Sequence, residues 1–286
     1  MRPHRRRYAL RMEETLTDPE GLLIHPDDPV GYGVLVLGGS SGRVDVGRAR
    51  LLAKHGATVM AIRWFGGAGQ QPGPYEVPLE IFFAALDRLA ESCSRLAVVG
   101  LSFGAEAALL TSAHDDRVTA TVAFAPSCVV WAGVDTSSEP ARQTSHWTLG
   151  GEPLAYVPFD ESWEPDTDPP AYVGLYRQSL RTYADRVVAA TIPVERMAGT
   201  VVLVAGGEDK VWPSVEFAAS CSNRRAEHRL PTTVITSRDA GHRVILPGEE
   251  EVTAGARMAR GGTREADAHL GRLAWPAVVD ALDLRP

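Results

Sequence analysis

The chain has 286 residues, 44% of them hydrophobic, and a formal net charge of -7 from 36 acidic against 29 basic side chains. It is long enough to bury a sizeable core as one large α/β domain or two small ones. The acidic balance argues against nucleic acid or an anionic membrane as the main partner, and no stretch is long and apolar enough to cross a bilayer.

At the amino terminus Arg2, Arg5, Arg6 and Arg7 form a basic tail over 1–7, read as flexible and solvated. Glu13 and Glu14 follow too soon for a signal peptide. Cys93, Cys128 and Cys221 are odd in number and lack metal-ligand spacing, so reduced thiols, a cytoplasmic location and neither metal nor cofactor are expected.

Two short strands, near Tyr8 to Glu14 and Leu22 to His25, are expected to form an antiparallel edge around the turn Asp18-Pro19-Glu20-Gly21. Gly33 to Leu37 is an apolar run that ends in Gly38-Gly39-Ser40-Ser41-Gly42, and a helical pattern over Arg48 to His55 follows. Ala57 to Ile62 reads as a buried strand, and Pro78 to Ala90 as a helix with Leu79, Phe82, Phe83, Leu86 and Leu89 on one face.

Leu96-Ala97-Val98-Val99 then meets Gly100-Leu101-Ser102-Phe103-Gly104, with an alanine- and leucine-rich helical segment after it. Strand, Gly-x-Ser-x-Gly turn and helix together are the layout of a nucleophile elbow, in which small neighbours allow a serine to sit on a strained turn. The competing reading is a structural glycine turn with an inert serine. Further strands are expected at Thr119 to Ala125, Thr200 to Ala205 and Thr232 to Thr236, with a helix near Val215 to Ser222. Continuously apolar strands alternating with helices predict a mostly parallel central sheet covered on both faces.

The alternation breaks down from Trp131 to Ala190, a segment that holds eight of the chain's twenty aromatics. A cap insert over 131–190 that walls an apolar pocket is expected, on a single domain spanning 1–286; a surface excursion packing its own aromatics is the alternative. The insert carries nine acids against four arginines, which does not favour the phosphates of coenzyme A.

A serine hydroxyl needs a base and an orienting acid, which in this topology follow in the order Ser, Asp, His. Val201 to Ala205 leads into Gly206-Gly207-Glu208-Asp209, and Val234 to Thr236 leads into Asp239-Ala240-Gly241-His242. Ser102 is therefore the candidate nucleophile, His242 the general base and Asp209 its partner, with Glu208 and Asp239 as competitors for the acid. His114, His146, His228 and His269 lie in polar segments and read as surface residues. The amide of Phe103 is one candidate oxyanion donor, and that of Ser40 the preferred second, with Ser41 and Gly39 close behind. Gly38 to Gly42 misses the Gly-x-Gly-x-x-Gly spacing of a dinucleotide loop.

From about Gly33 to Leu282, the insert excepted, the chain resembles the carboxy-terminal α/β-hydrolase domain of the acyl-CoA thioesterase and bile acid-CoA:amino acid N-acyltransferase family, which is dienelactone-hydrolase-like. The resemblance lies in Gly38-Gly39, Arg48 to Gly56, Gly100 to Glu106, Ile192-Pro193-Val194-Glu195-Arg196, Gly207 to Ser214, Ala240-Gly241-His242, and Gly261-Gly262-Thr263 with Trp275. Two-domain members carry an immunoglobulin-like domain ahead of the hydrolase; with about thirty residues before the first core strand, that domain is expected to be missing here. The amino-acid-conjugating members use a cysteine nucleophile, so the resemblance implies that Ser102 belongs with the hydrolytic branch. The resulting expectation is a serine hydrolase acting on a small-molecule acyl thioester, with an oxygen-ester esterase or lactonase and an inert binding module as the alternatives. The acyl group, its carrier and the oligomeric state are not legible.

Overall fold

A computed structural model describes residues 10–137, 139–251 and 255–285. The basic tail expected at 1–7 lies outside the described residues. In chain order the elements are β1 (Leu10–Thr17), β2 (Glu20–Pro26), β3 (Tyr32–Leu37), α1 (Val46–Lys54), β4 (Thr58–Ile62), β5 (Val77–Pro78), α2 (Glu80–Ala90), β6 (Arg95–Leu101), α3 (Phe103–His114) and β7 (Val118–Phe124). There follow β8 (Ala132–Asp135), β9 (Arg142–Ser145), β10 (Trp147–Leu149), β11 (Glu152–Pro153), α4 (Val173–Thr182), α5 (Ala184–Ala190), β12 (Thr200–Gly206), α6 (Ser214–Glu227), β13 (Thr233–Ser237) and α7 (Arg264–Ala281).

The main sheet runs β1-β2-β4-β3-β6-β7-β12-β13. Its strands from β4 to β13 are parallel, and the expected antiparallel pair β1 and β2 joins at β4. The turn between that pair shortens to Asp18-Pro19, because Glu20 and Gly21 already pair with Thr17 and Leu16.

Both faces of the sheet are buried. In β3, Leu35 and Leu37 join one core with α2, α3 and α6, while Val34 and Val36 join a second core with α1 and α7. Period-two alternation therefore feeds two apolar layers, which is why these strands read as continuous apolar runs. β13 is the exception: it lies at the sheet edge with Val234 exposed.

Three elements differ from expectation. Pro78 pairs with Thr148 in a short parallel bridge of β5 to β10, so α2 begins at Glu80. The helix expected over Val215 to Ser222 runs from Ser214 to Glu227. α7 has no counterpart among the expected elements, although Thr263 caps it by accepting from the Ala266 amide at 3.2 Å, with Glu265 and Asp267 in its first turn.

The chain leaves β3 for β4 on one side and returns to β6 on the other, which makes a switch point where β3 and β6 lie side by side. Ligands of open α/β sheets collect outside the carboxyl ends of the strands at such a point. Here those ends carry the Gly38–Gly42 loop and Ser102.

Candidate active site

Ser102 stands between β6 and α3 with φ 60° and ψ -126°, a backbone conformation that a non-glycine residue adopts only at a cost. Its amide donates to Phe124 O on neighbouring β7 at 2.9 Å. The flanking glycines are there for space: a β-carbon on Gly104 would overlap the carbonyls of Leu37 and Gly38, and one on Gly100 would overlap the Gly104 carbonyl. Helix α3 therefore presses against the end of β3. Phe103, as the first residue of α3, carries an amide that the helix leaves unpaired.

The loop after β3 reaches the serine. A β-carbon on Gly39 would stand 3.3 Å from Ser102 Cβ and 3.8 Å from its Oγ. Trp64 Nε1 donates to the Gly38 carbonyl at 3.1 Å, and the Ser41 amide is taken up by Gly39 O at 2.8 Å. Of the three amides weighed as second oxyanion donor, Ser41 is thus engaged within the loop, which leaves Ser40 and Gly39.

Asp209 and His242 meet across two strand ends, with His242 Nδ1 2.8 Å from Asp209 Oδ2 and both side chains buried. The other carboxylate oxygen accepts the amides of Val211 at 2.8 Å and Trp212 at 3.2 Å, so the acid is held from both sides. This is the local logic of Asp209-Lys210-Val211-Trp212-Pro213-Ser214: the acid folds the turn that opens α6. Trp212 packs edge-on against His242 at 5.8 Å and against Phe103 at 5.1 Å. The competing acids fall elsewhere, Glu208 exposed in a pair with Lys210 at 2.9 Å and Asp239 exposed. The loop bearing His242 is fastened through its own amide to Arg260 O at 2.9 Å, and that carbonyl also accepts from the Lys210 amide at 3.3 Å.

Ser102 and His242 both line a cavity of about 760 Å³. No hydrogen bond joins the Ser102 hydroxyl to the imidazole among the described residues. Phe159, Tyr172, Leu175 and Tyr176 supply an apolar wall from the 131–190 segment.

Sequence reasoning missed three titratable groups here. His146, expected at the surface, is 2% exposed, stacks on Phe103 at 4.1 Å, and has no partner for either ring nitrogen among the described residues. Burial pushes its pKa down to about 3, so the ring is neutral and acts as an aromatic filler on the cavity wall. Its neighbours Ser145 and Trp147 lie on the insert strands, and nothing in the local pattern marks it. Glu106, four residues past the serine, is fully buried and accepts from Trp147 Nε1 at 2.8 Å and the Trp131 amide at 3.1 Å. Burial raises its pKa to about 8, against the lowering by those bonds. Asp267 on α7 accepts the Gly241 amide at 2.6 Å, beside His242, and burial raises it to about 6.

The family model described as "BAAT / Acyl-CoA thioester hydrolase C terminal" matches residues 77–282. The chain belongs to this BAAT/acyl-CoA thioester hydrolase family. Its elbow, Asp209 turn and His242 loop all fall within the matched residues. Among curated proteins it is similar to "Acyl-coenzyme A amino acid N-acyltransferase 2" of Mus musculus, at 26% identity over 75% of this chain and 49% of that one. The chain spans about half the length of the curated relatives it matches. Among solved structures it is similar to "m3DLH" (TM-score 0.51, 16% identity, 95% of each chain) and to a puromycin-hydrolyzing peptidase of Mycobacterium tuberculosis (TM-score 0.50, 17% identity, 79% of this chain and 35% of that one). With the mostly parallel sheet and its flanking helices, this is an α/β-hydrolase fold. No helix among the described residues is long and apolar enough to cross a membrane.

Proposed function

We propose that this member of the BAAT/acyl-CoA thioester hydrolase family is a serine hydrolase of acyl thioesters. The observation that carries the reading is Ser102, strained on its elbow, sharing a cavity with an imidazole whose Nδ1 is held by a buried carboxylate. That carboxylate assigns the ring proton to Nδ1 and leaves Nε2 as the base.

Nε2 takes the Ser102 proton as Oγ attacks the thioester carbonyl. The oxyanion so formed is held by the Phe103 amide and by that of Ser40. As the tetrahedral intermediate collapses, the imidazolium protonates the departing thiolate and the acyl group stays on Ser102. Water then gives its proton to His242 and attacks the acyl-enzyme, and the imidazolium returns that proton to Ser102 Oγ as the acid leaves. Asp209 steadies the imidazolium in both halves.

The curated relatives are named as N-acyltransferases, which favours a second reading in which an amino acid takes the acyl group in place of water. A serine acyl-enzyme supports the hydrolytic outcome. The deciding measurement gives an acyl thioester to the protein with and without an excess of glycine and separates the products. Free acid in both samples supports hydrolysis; N-acylglycine as the main product overturns it. Fluorophosphonate labelling that depends on Ser102 separates either enzyme from an inert scaffold, and p-nitrophenyl esters compared with thioesters separate a thioesterase from an esterase or lactonase.

A further inference from the structure

Asp209 holds the imidazole from one side. The loop that carries His242 is gripped from the other by an acid that no step of the reaction uses. Asp267 lies buried in the first turn of α7, in the wall of the cavity that Ser102 and His242 share. Its carboxylate Oδ1 accepts the Gly241 amide at 2.6 Å, and its main-chain carbonyl accepts the Ile245 amide at 3.3 Å. One residue thus brackets His242, holding the chain just before it and again three residues after.

Two glycines bring the acid there. Gly261 and Gly262, with φ of 70° and 62°, turn the chain into α7 at Thr263. A β-carbon on Gly262 would overlap the Gly241 amide nitrogen and stand 2.8 Å from Asp267 Oδ1. One on Gly261 would overlap the Glu208 carbonyl, and one on Gly241 the Gly261 carbonyl. Three backbones, from the Asp209 turn, the His242 loop and the approach to α7, therefore pack with no side chain between them. Left-handed φ and the missing space both confine positions 261 and 262 to glycine.

A hydrogen bond to Gly241 alone would be met by a neutral side chain. Here a carboxylate is set near a second carboxylate. The charged groups that act on Asp267 are His242 and Arg243 on the loop after β13 and Asp209 on the turn after β12. Burial is the largest influence and Asp209 adds to it, while the Gly241 bond, His242 and Arg243 favour the ionised form, so that the carboxyl titrates at about 6. Above that pH Asp267 brings a negative charge to the imidazolium that turnover would create.

We propose that Asp267 is a positioning residue that aims the His242 loop through the Gly241 and Ile245 amides and supports the imidazolium with its charge. Its part in turnover rests on the hydrolase reading; its coupling to the imidazole does not.

The coupling is read without turnover, by magnetic resonance of the full chain carrying 15N-labelled histidine, with the His242 signal identified by its loss in His242→Gln. Asp267→Asn keeps an oxygen for the Gly241 amide and removes the charge. It is expected to melt within a few degrees of the parent and to lower the pH at which His242 titrates by about half a pH unit or more. An unchanged His242 titration overturns the proposal. The reciprocal measurement leaves Asp267 intact: in His242→Gln its 13C-labelled carboxyl is expected to titrate at higher pH than in the parent, and an identical titration also overturns the coupling. Kinetics with p-nitrophenyl butyrate and butyryl-coenzyme A then read the role in turnover. Asp267→Asn is expected to lower kcat about three- to tenfold with KM within about twofold, and to move the acid limb of kcat/KM toward lower pH as His242 moves. Asp267→Ala, which also frees the Gly241 amide, should fall about tenfold further. A raised KM at unchanged kcat would make Asp267 a substrate-binding residue, and kcat and limb both unchanged would leave it purely structural; either overturns the positioning role. A shifted His242 titration in a protein that turns over neither substrate leaves the coupling standing and removes the hydrolase reading.

Discussion

The elbow and the 131–190 segment face each other across one cavity and reach their places by opposite means. At the elbow the requirements are written in one short stretch: a strained Ser102, Gly100 to admit the first turn of α3, Gly104 to admit the end of β3, and a helix that starts one residue after the serine. The facing segment has only short strands and two helices, and it is fastened from outside. Trp131 and Trp147 both donate to Glu106 on α3, and Trp131 Nε1 donates to Ser127 Oγ at 2.9 Å. If the proposed hydrolase reading holds, chemistry at the scissile bond belongs to one wall and substrate fit to the other, and variants on each wall should fail differently.

The largest effects belong to the elbow wall. Ser102→Ala is expected to lower kcat by at least about 10³-fold while the melting temperature stays within a few degrees, because triad members act as a unit. Near-parental turnover in that variant would break the division of labour at its root. Asp209→Asn keeps an acceptor for the Val211 and Trp212 amides yet offers an amide group to Nδ1. The ring proton then moves to Nε2, and kcat is expected to fall on the order of 10³- to 10⁴-fold at neutral pH.

Next in size is the tie between the walls. The Glu106 carboxyl is neutral in the folded protein up to a pH of about 8, whereas an unfolded glutamate ionises near its ordinary value of 4.5. The folded state therefore binds the extra proton between those limits, and stability falls as pH rises through them, by at most about 1.4 kcal/mol per pH unit. His146, held at about 3, acts oppositely, adding stability as pH rises toward 6.5, and Asp267 ceases to contribute above about 6. Between pH 6.5 and 8 the Glu106 slope is left alone among the three. Denaturant melts across that window should show declining stability in the parent and a flatter profile in Glu106→Gln; equal slopes would remove Glu106 as the titrating tie.

The smallest effect belongs to the insert wall. Phe159 lines the cavity and stacks on Trp131 at 5.9 Å between centroids. Phe159→Ala is expected to shift the preferred acyl chain toward longer members of a homologous series, with kcat/KM changes within about tenfold, as suits altered apolar contact. A loss as deep as that of Ser102→Ala would mean that the insert takes part in the chemistry.

What could be read from the sequence follows the same division. The parallel sheet, the elbow and the Asp209 and His242 loops were legible because strand periodicity, glycine spacing and strand-end position are short-range signals. The acid remained open between Glu208, Asp209 and Asp239, and three-dimensional placement separates them, since only Asp209 is turned inward onto the imidazole. His146 reads as a surface residue because its burial is imposed largely by Phe103 and Trp64, which are distant in sequence. α7 carries a start signal in Thr263 and the acids after it, but its apolar positions are too sparse among polar ones to announce a helix of 18 residues.

Arg260 O takes the amides of both His242 and Lys210, so one carbonyl sets the spacing between the imidazole loop and the turn that carries Asp209, and a change at that single backbone position would disturb both members of the pair at once.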